Sequence, residues 1–455
     1  MAKEKTVFIC QTCGYQTPKW LGRCPDCQGW GTLVEELIGE EASAQGVRQR
    51  WATEEIPCAI GEVAEEEEGM RLSTRLEEFN RVLGGGIVNG SVVLLGGDPG
   101  IGKSTLIFQC LHGLASQGRR CLYISAEESL RQTKLRAKRL GAVSDELFVA
   151  AETSLERIIQ AVEEIKPLVL VIDSIQSIYT SQLGSAPGSI SQVRETSGRL
   201  TYLAKGLGVA TFLVGHVTKD GAIAGPRVLE HIVDTVLYME HSADSPFRIL
   251  RAVKNRFGST NEIGVFEMKE GGLQEVINPS EIFLAERPTG TSGSAVMASM
   301  EGTRPILVEI QALVSPTAFA VPRRMSIGVD YNRLSLLVAV LEKKVGINLS
   351  HQDIFVNVAG GLRIEEPAVD LGVVVAVASS HLDKVIPPAM VVFGEVGLTG
   401  EVRGVSFGEQ RIREAARMGF KECILPRSSA QGIKPPEGIE LITARDLREV
   451  WERLF

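Results

Sequence analysis

The 455-residue sequence has no hydrophobic run long enough to cross a membrane. A spanning helix needs about 18 consecutive apolar residues, and the longest candidate, Leu371 to Ser380, reaches only about half of that length. The first residues, Met1 to Lys5, lead into no apolar segment of the kind found in secretory signals. We therefore expect a cytoplasmic protein with no membrane partner.

An excess of positive charge is also missing. Lysine and arginine number 48 against 56 aspartates and glutamates, which gives a net charge of −8. This balance argues against a chain that coats nucleic acid over its whole surface. It still permits a local basic groove, because binding depends on the patch and not on the sum. The length suggests about three domains.

The cysteines do not suggest a disulfide framework. Four of the eight are scattered along the chain and are typical of small buried residues, namely Cys58, Cys110, Cys121 and Cys423. The other four form two C-x-x-C pairs, namely Cys10, Cys13, Cys24 and Cys27. Two such pairs predict a tetrahedral, structural Zn²⁺ site. Two disulfides, unpaired thiols or iron in the same geometry are the alternatives, but a short segment with little core favours a structural metal.

Two tryptophans flank this predicted metal site. Trp20 and Trp30 could stack on bases or on a partner, or they could pack over the small zinc ribbon that the cysteine pairs predict.

The most informative feature is the run Gly97 to Ser104, which matches G-x-x-x-x-G-K-[ST] and follows the apolar run Ser91 to Leu95. A strand, a glycine loop and a helix start form the context that this motif requires. Its N–H groups and the helix N-terminus attract phosphate, while Lys103 reaches the β/γ-phosphates and Ser104 binds Mg²⁺. We expect ATP to be bound by Gly97, Asp98, Pro99, Gly100, Ile101, Gly102, Lys103, Ser104 and Thr105.

From Leu72 onward apolar strands alternate with amphipathic helices. Helices are predicted over 105–116, 130–140 and 155–165, and strands over 120–125, 168–173 and 210–215. This alternation predicts an α/β domain with a parallel sheet, crossover helices and a ligand at the carboxyl ends of the strands.

Acidic residues follow two of these strands. Asp173 ends the strand 168–173 and is assigned to Mg²⁺, directly or through water; capping of the next helix is the alternative. Glu127 and Glu128 follow the strand 120–125, and one of them could polarise the attacking water. Carboxylates at a helix N-terminus are common, which is the alternative for this pair.

The segment from Leu72 to about Pro279 resembles the RecA-like ATPases, on the stretch Phe79 to Ile87 that precedes the phosphate loop. Within that group, the run Lys254-Asn255-Arg256-Phe257-Gly258 looks like the signature of the bacterial RadA (Sms) family of DNA-repair proteins. The N-terminal ribbon and the chain length fit that family too, so the resemblance covers essentially the whole chain.

This resemblance implies roles for particular residues. Ala126-Glu127 matches the pair whose Glu is the hydrolytic base, and His216 matches the γ-phosphate sensor, although RecA itself usually has Gln there. Lys254 and Arg256 match basic residues that reach the nucleotide of a neighbouring subunit, where they would stabilise the transferring phosphoryl group. A solvated basic strand end is the alternative. The assembly implied is a homo-hexameric ring.

The resemblance also implies a function. Two segments, Tyr179 to Val193 and Thr218 to Arg227, look like mobile loops that grip single-stranded DNA, with Lys219 and Arg227 on phosphates. The implied partners are single-stranded and branched DNA and a RecA-type recombinase. The expected activity is a DNA-dependent ATPase that drives branch migration or unwinding in recombinational repair. A RecA-fold signalling ATPase, or a scaffold without motor activity, is the alternative.

Residues Ala285 to Phe455 read as an α+β domain that resembles the proteolytic domain of Lon proteases, most clearly over Gly394 to Val405. Lon enzymes use a Ser nucleophile and a Lys base, but Asp370 and Glu409 stand at those positions. We therefore expect no peptidase activity. Candidate basic contacts to DNA are Arg323 and Arg324. A second basic series is a further candidate, but we expect its members to pair with Glu on their own helix, namely Arg411, Arg413 and Arg417.

The expected organisation is thus a zinc ribbon over residues 1–38, a linker over 39–70 that carries the acidic run Glu65 to Glu68, a RecA-like ATPase domain over 71–280 and a Lon-protease-like domain over 285–455.

Overall fold

The computed structural model describes residues 5–10, 15–26, 28–38, 71–216, 229–241, 246–260, 262–319 and 321–455. The chain divides into two compact units, one reaching Val276 and the other running from Ile277 to Phe455. The predicted linker and four predicted site residues lie outside the described residues, namely Cys13, Cys27, Lys219 and Arg227. Within the described ranges, no helix is long and apolar enough to span a membrane.

The N-terminal segment is a small antiparallel sheet. It contains β1 (Lys5–Cys10), β2 (Gln16–Thr17) and β3 (Leu33–Ile38), with β1 in the centre. Its buried core consists of Cys10, Cys24 and Leu33, with Phe8 packed against them. Such a small core cannot by itself stabilise a domain, which is the condition under which structural metals are used.

A nine-stranded sheet forms the centre of the first unit, in the order β12-β11-β10-β9-β4-β8-β7-β5-β6. The six strands from β9 to β6 in that order are parallel, and β10 to β12 form an antiparallel extension. The strands are β4 (Val92–Gly97), β5 (Cys121–Ser125), β6 (Leu147–Ala151), β7 (Val169–Asp173), β8 (Ala210–Val214), β9 (Thr235–Glu240), β10 (Phe247–Asn255), β11 (Ile263–Lys269) and β12 (Gly272–Glu275).

Helices cover both faces of this sheet, because its central strands are apolar on both sides. They are α1 (Glu77–Leu83), α2 (Lys103–Ala115), α3 (Leu130–Arg139), α4 (Leu155–Ile165) and α5 (Ile190–Leu207). Local signals set their ends: Ser129 and Gln132 form a capping box at the start of α3, and Gly208 ends α5 in the left-handed conformation. The predicted α/β fold with a parallel sheet is confirmed.

The strand register places residues of interest at two opposite edges of the sheet. These are the carboxyl edge, where the parallel strands end, and the amino edge, where they begin. Ser125 lies opposite Asp173, and Asp173 lies opposite Val214, so three strands end at the same level. On the other side of β4, Gly97 pairs with Met239. Lys254 pairs with Val236, near the start of β9. Along the strand direction, the end of β4 and Lys254 are therefore three residues, or about 10 Å, apart, the first at the carboxyl edge and the second near the amino edge of the parallel strands.

The second unit contains a mixed seven-stranded sheet in the order β15-β16-β14-β13-β17-β20-β21, plus a two-stranded ladder of β18 and β19. Its strands are β13 (Ser294–Glu301), β14 (Arg304–Pro316), β15 (Arg324–Ile327), β16 (Gln352–Val358), β17 (Met390–Val392), β18 (Glu395–Val396), β19 (Val402–Arg403), β20 (Glu422–Pro426) and β21 (Glu440–Ala444).

The helices of this second unit are α6 (Pro279–Leu284), α7 (Tyr331–Val340), α8 (Val369–Leu382), α9 (Gly408–Arg417) and α10 (Leu447–Leu454). Helix α8 packs on the sheet beside β13 and β14 and is buried along most of its length. The predicted α+β architecture is confirmed.

Helix α2 packs closely on the segment that precedes α1, and Gly113 makes this approach possible. A Cβ at Gly113 would overlap the carbonyl oxygen of Thr74, which is backbone and cannot turn aside. We expect Gly113→Ala to lower the free energy of unfolding by about 1–3 kcal/mol, measured by urea denaturation. Gly198→Ala in α5 is the matched control, because its Cβ would meet nothing within 4 Å; it should stabilise by roughly 0.5–1 kcal/mol. Equal effects of both variants would contradict the packing argument.

Candidate active site

Lys103 begins α2 and turns its ammonium group back over the glycine loop. Its Nζ donates to the carbonyl oxygens of Gly97 at 2.8 Å and Asp98 at 2.9 Å, and it lies 3.3 Å from Nδ1 of His216. Burial lowers the pKa of Lys103, and the carboxylates of Asp173, Asp98 and Glu127 oppose that shift. The loop thus presents a buried cation to any anion that enters it.

Two glycines give this loop its shape. Gly97 has φ of +148°, and a Cβ there would lie 2.6 Å from the carbonyl oxygen of Met239. Gly102 has φ of +120°, and a Cβ there would lie 2.7 Å from the end of the Met268 side chain. Only glycine fits both conformations without displacing neighbours, so the curled loop requires the glycines that the motif specifies.

Asp173 lies at the end of β7, where two hydroxyl groups donate to the same carboxylate oxygen. Ser104 Oγ and the Tyr123 hydroxyl both lie 2.6 Å from Asp173 Oδ2. Burial, and after it the charge of Asp173, raise the pKa of Tyr123 well above its usual range, so its hydroxyl stays a donor. A serine hydroxyl beside a carboxylate is an all-oxygen donor set, which fits Mg²⁺.

Glu127 and His216 meet above the phosphate loop. His216 Nε2 lies 3.4 Å from Glu127 Oε1, while its other ring nitrogen faces Lys103. The hydroxyl of Ser174 donates to Glu127, and Ser177 Oγ lies 3.4 Å from the same oxygen. The structure thus brings together Lys103, the sequence-predicted base and the sequence-predicted sensor.

These groups surround a cavity of about 390 Å³. Its lining includes Glu128, the other candidate for polarising the attacking water, and four residues for which the sequence predicted no role at the site, namely Tyr123, Ser125, Arg136 and Arg139. Arg136 Nη2 lies 2.5 Å from Glu128 Oε1, so that carboxylate pairs with a cation of α3. The two arginines lie three positions apart on α3, the helix that follows Glu127 in the chain. This spacing is the sequence signal that could have identified both arginines, because residues three apart share a helix face.

Lys254 and Arg256 do not approach the cavity of their own chain. Lys254 Nζ donates to the carbonyl oxygens of Glu230 at 2.6 Å and Val233 at 2.8 Å, and Arg256 Nη1 lies 3.2 Å from Asp234 Oδ1. Burial, and then the nearby Arg256, lower the pKa of Lys254. Both cations belong to the opposite edge of the sheet from the phosphate loop.

The N-terminal ribbon places two of the four predicted thiols together. Cys10 and Cys24 are buried in the same small cluster, and their amides donate to the carbonyl oxygens of Tyr15 and Gly29. Two buried thiols in one cluster fit a metal site. Trp20 and Trp30 are 59% and 76% exposed. Ring atoms of both tryptophans nevertheless lie within 4 Å of the Cβ position of Gly22, so they pack over the ribbon while each keeps an exposed face.

The first predicted DNA loop is held by side chains of α4 and α5. The buried amide of Gln192 accepts from Thr180 N at 2.9 Å and donates to the carbonyl oxygen of Ser185 at 3.0 Å. The Thr180 hydroxyl lies 2.5 Å from Glu156, and Arg199 lies 3.1 Å from that hydroxyl. The expected mobile stretch is therefore fastened near its start, and its last residues belong to α5.

In the second unit, the residues at the Lon-like catalytic positions form separate ion pairs. Asp370 is buried, and both of its oxygens pair with Arg333. It also accepts from Val396 N at 3.0 Å. Burial raises the pKa of Asp370, while the hydrogen bond and charge of Arg333 oppose the rise. Glu409 pairs instead with Arg413 on the surface, at 2.5 Å.

The basic residues of this unit differ in the partners that their side chains have within the chain. Arg323 stacks on the Phe319 ring at 3.8 Å. Arg324 donates to the carbonyl oxygens of Gln352 and Leu349. The expected pairing along α9 is confirmed for Arg413 and Arg417, which pair with Glu409 and Glu414. It is wrong for Arg411, which is buried and pairs with Glu366, because its side chain points into the core rather than along the helix.

The fold and the site together define a P-loop ATPase of the RecA-like class, joined to a ribbon and an α+β domain. Residues 63–222 match the family model of an AAA domain. Residues 8–35 match a rubredoxin metal binding domain, and residues 334–429 match subunit ChlI of Mg-chelatase.

Curated relatives identify the family. The DNA repair protein RadA of Halalkalibacterium halodurans is 57% identical over 99% of both chains. That of Bacillus subtilis is 56% identical over 99% of this chain and 98% of its own. That of Streptococcus pyogenes serotype M6 is 52% identical over both full lengths. This chain belongs to the RadA family of DNA repair proteins.

Proposed function

We propose that this chain is a DNA-dependent ATPase. It binds single-stranded DNA and drives branch migration or unwinding of joint molecules made by a RecA-type recombinase. The observation that carries the proposal is the contact chain Lys103–His216–Glu127 beside the Ser104–Asp173 pair. This arrangement supports hydrolysis as well as binding, since a carboxylate faces the place where a γ-phosphate would lie.

Each residue has a distinct task in hydrolysis. The loop from Gly97 to Thr105 holds the phosphates, and Lys103 neutralises the charge that grows on them. Ser104 and Asp173 would hold Mg²⁺, which would supply positive charge to offset that of the phosphates. Glu127 orients the attacking water and accepts its proton. His216 contacts both Lys103 and Glu127, which suits a sensor of the γ-phosphate.

We place Lys254 and Arg256 at the nucleotide of a neighbouring copy. They lie at the edge of the sheet opposite their own phosphate loop, so they can serve a nucleotide only when copies stack edge to edge. Such a head-to-tail contact closes into a ring when its rotation permits, and a homo-hexamer is the assembly we propose. ATP bound between two copies then couples hydrolysis to their relative movement.

We place DNA on the segment that contains Lys219 and Arg227. Glu230 and Val233 follow that segment in the chain, and their carbonyl oxygens accept from Lys254. The proposed trans cation therefore contacts backbone that lies only a few residues after the proposed DNA segment. Arg323, whose guanidinium stacks on an exposed Phe319 ring, and its neighbour Arg324 are further phosphate contacts in this proposal.

The two flanking domains have structural tasks in this proposal. The ribbon holds one Zn²⁺ through Cys10, Cys13, Cys24 and Cys27, and elemental analysis should return one zinc per chain. The second unit has no peptidase activity, because the Asp370 carboxylate is tied to Arg333 and cannot act as a serine nucleophile. Casein incubated with the protein and ATP should stay intact; its cleavage would contradict this assignment.

The first test compares ATP turnover with and without single-stranded DNA. We expect DNA to stimulate turnover, and Lys103→Ala to abolish it, because the transition-state charge then lacks its buried cation. Lys134→Ala removes a lysine from α3 that does not line the cavity, and it should keep turnover near the wild-type rate. Turnover that ignores DNA, together with phosphotransfer to a protein, would favour the signalling alternative.

The second test asks whether the active site is shared between copies. Lys103→Ala and Lys254→Ala should each be inactive alone, yet an equal mixture should recover roughly a quarter of the wild-type turnover. The reason is that a random head-to-tail assembly pairs an intact Lys103 with an intact Lys254 at about that fraction of contacts.

The control for this mixture is the double variant that lacks both lysines. Mixed with either single variant, it can supply no complete site and should restore nothing. A mixture of the single variants that stays as inactive as its components would contradict the trans role of Lys254.

A further inference from the structure

Tyr123 is a buried residue in the middle of β5, and its hydroxyl lies at the metal-binding edge of the sheet. It is 2% exposed and belongs to a run, Cys121–Ser125, that is buried throughout. A tyrosine in such a run needs a partner for its hydroxyl. Here that partner is the carboxylate of Asp173, at 2.6 Å.

The strand register explains how the two groups meet. Tyr123 lies opposite Val171 and Ser125 lies opposite Asp173. Because alternate residues of a strand share a face, Tyr123 and Asp173 lie on the same face, one diagonal step apart. The ring of Tyr123 packs on Phe108 of α2 with centroids 4.4 Å apart, and this contact directs the hydroxyl toward the end of β7.

The distribution of hydrogen bonds on Asp173 is uneven. Ser104 and Tyr123 both donate to Oδ2, and among the described residues none donates to Oδ1. The two donors come from different elements, α2 and β5, so together they restrict the orientation of the carboxylate. A carboxylate held in this way keeps Oδ1 available for a metal ion or for a water of its hydration shell.

We propose that Tyr123 is a positioning residue for Mg²⁺ binding, which orients the Asp173 carboxylate by a hydrogen bond from inside the sheet. Residues that hold a metal ligand from behind commonly change metal affinity by about 10–100-fold when they are removed. The inference depends on the nucleotide site alone. It does not depend on the proposed action on DNA, so its test is done without DNA.

The test is the Mg²⁺ dependence of nucleotide binding by Tyr123→Phe, measured with fluorescent ADP on the full-length protein. This variant keeps the ring on Phe108 and removes only the hydroxyl. Affinity for ADP in EDTA should match the wild type. The Mg²⁺ concentration that gives half of the metal-induced tightening should rise about tenfold. ATP turnover at saturating Mg²⁺ should change much less than turnover at low Mg²⁺.

Tyr238→Phe is the matched control. It removes a tyrosine hydroxyl that donates to a carboxylate from the same sheet, at 2.8 Å to Glu230, but Tyr238 and Glu230 do not line the nucleotide cavity. Its Mg²⁺ dependence should equal that of the wild type. An unchanged Mg²⁺ dependence in Tyr123→Phe, or an equal loss of ADP affinity with and without Mg²⁺, would overturn the proposal.

A second variant covers the case in which Tyr123→Phe does not fold. Phe108→Leu keeps the Tyr123 hydroxyl but removes the ring that directs it. We expect its Mg²⁺ requirement to rise in the same direction and by a smaller factor. Thermal unfolding without ligand shows which variants are folded, and a folded Phe108→Leu with wild-type Mg²⁺ dependence would count against the positioning role.

Discussion

The hydrogen bond between Ser104 and Asp173 is the contact on which the active site depends. Ser104 follows β4 and Asp173 ends β7, and these strands are not neighbours because β8 lies between them. The contact therefore requires three strands to pair in the correct register and to end at one level. A slip of one residue in β7 would turn Asp173 to the other face of the sheet, and the metal site would be lost with it.

The same sheet separates two kinds of cation. Lys103 lies at the carboxyl edge, buried against loop carbonyls and the site carboxylates. Lys254 and Arg256 lie at the opposite edge, on carbonyls that precede β9 and on Asp234. A single copy of the chain completes the site around Lys103, but it places no nucleotide near Lys254 and Arg256. The proposed catalysis therefore requires several copies of the chain to assemble.

Much of the nucleotide site could be predicted from the sequence, because it follows local rules. The glycine loop, its lysine and the carboxylate at a strand end are each marked by short patterns. Tyr123 could not be predicted, since a tyrosine in an apolar run is typical of core, and its link to Asp173 depends on β5 lying beside β7. Arg411 was missed for a similar reason: its partner Glu366 lies 45 positions earlier in the chain. Local periodicity predicts helices and strands well, but it does not contain strand order or long-range pairing.

In the proposed function, ATP hydrolysed at this site moves DNA. The most direct measurement is strand release from forked DNA that carries a single-stranded tail, followed in real time with ATP or with a non-hydrolysable analogue. We expect strand release with ATP, and DNA binding without release with the analogue. The contradicting result would be ATP turnover that DNA stimulates strongly but that produces no strand release and no branch migration on any forked or three-stranded substrate.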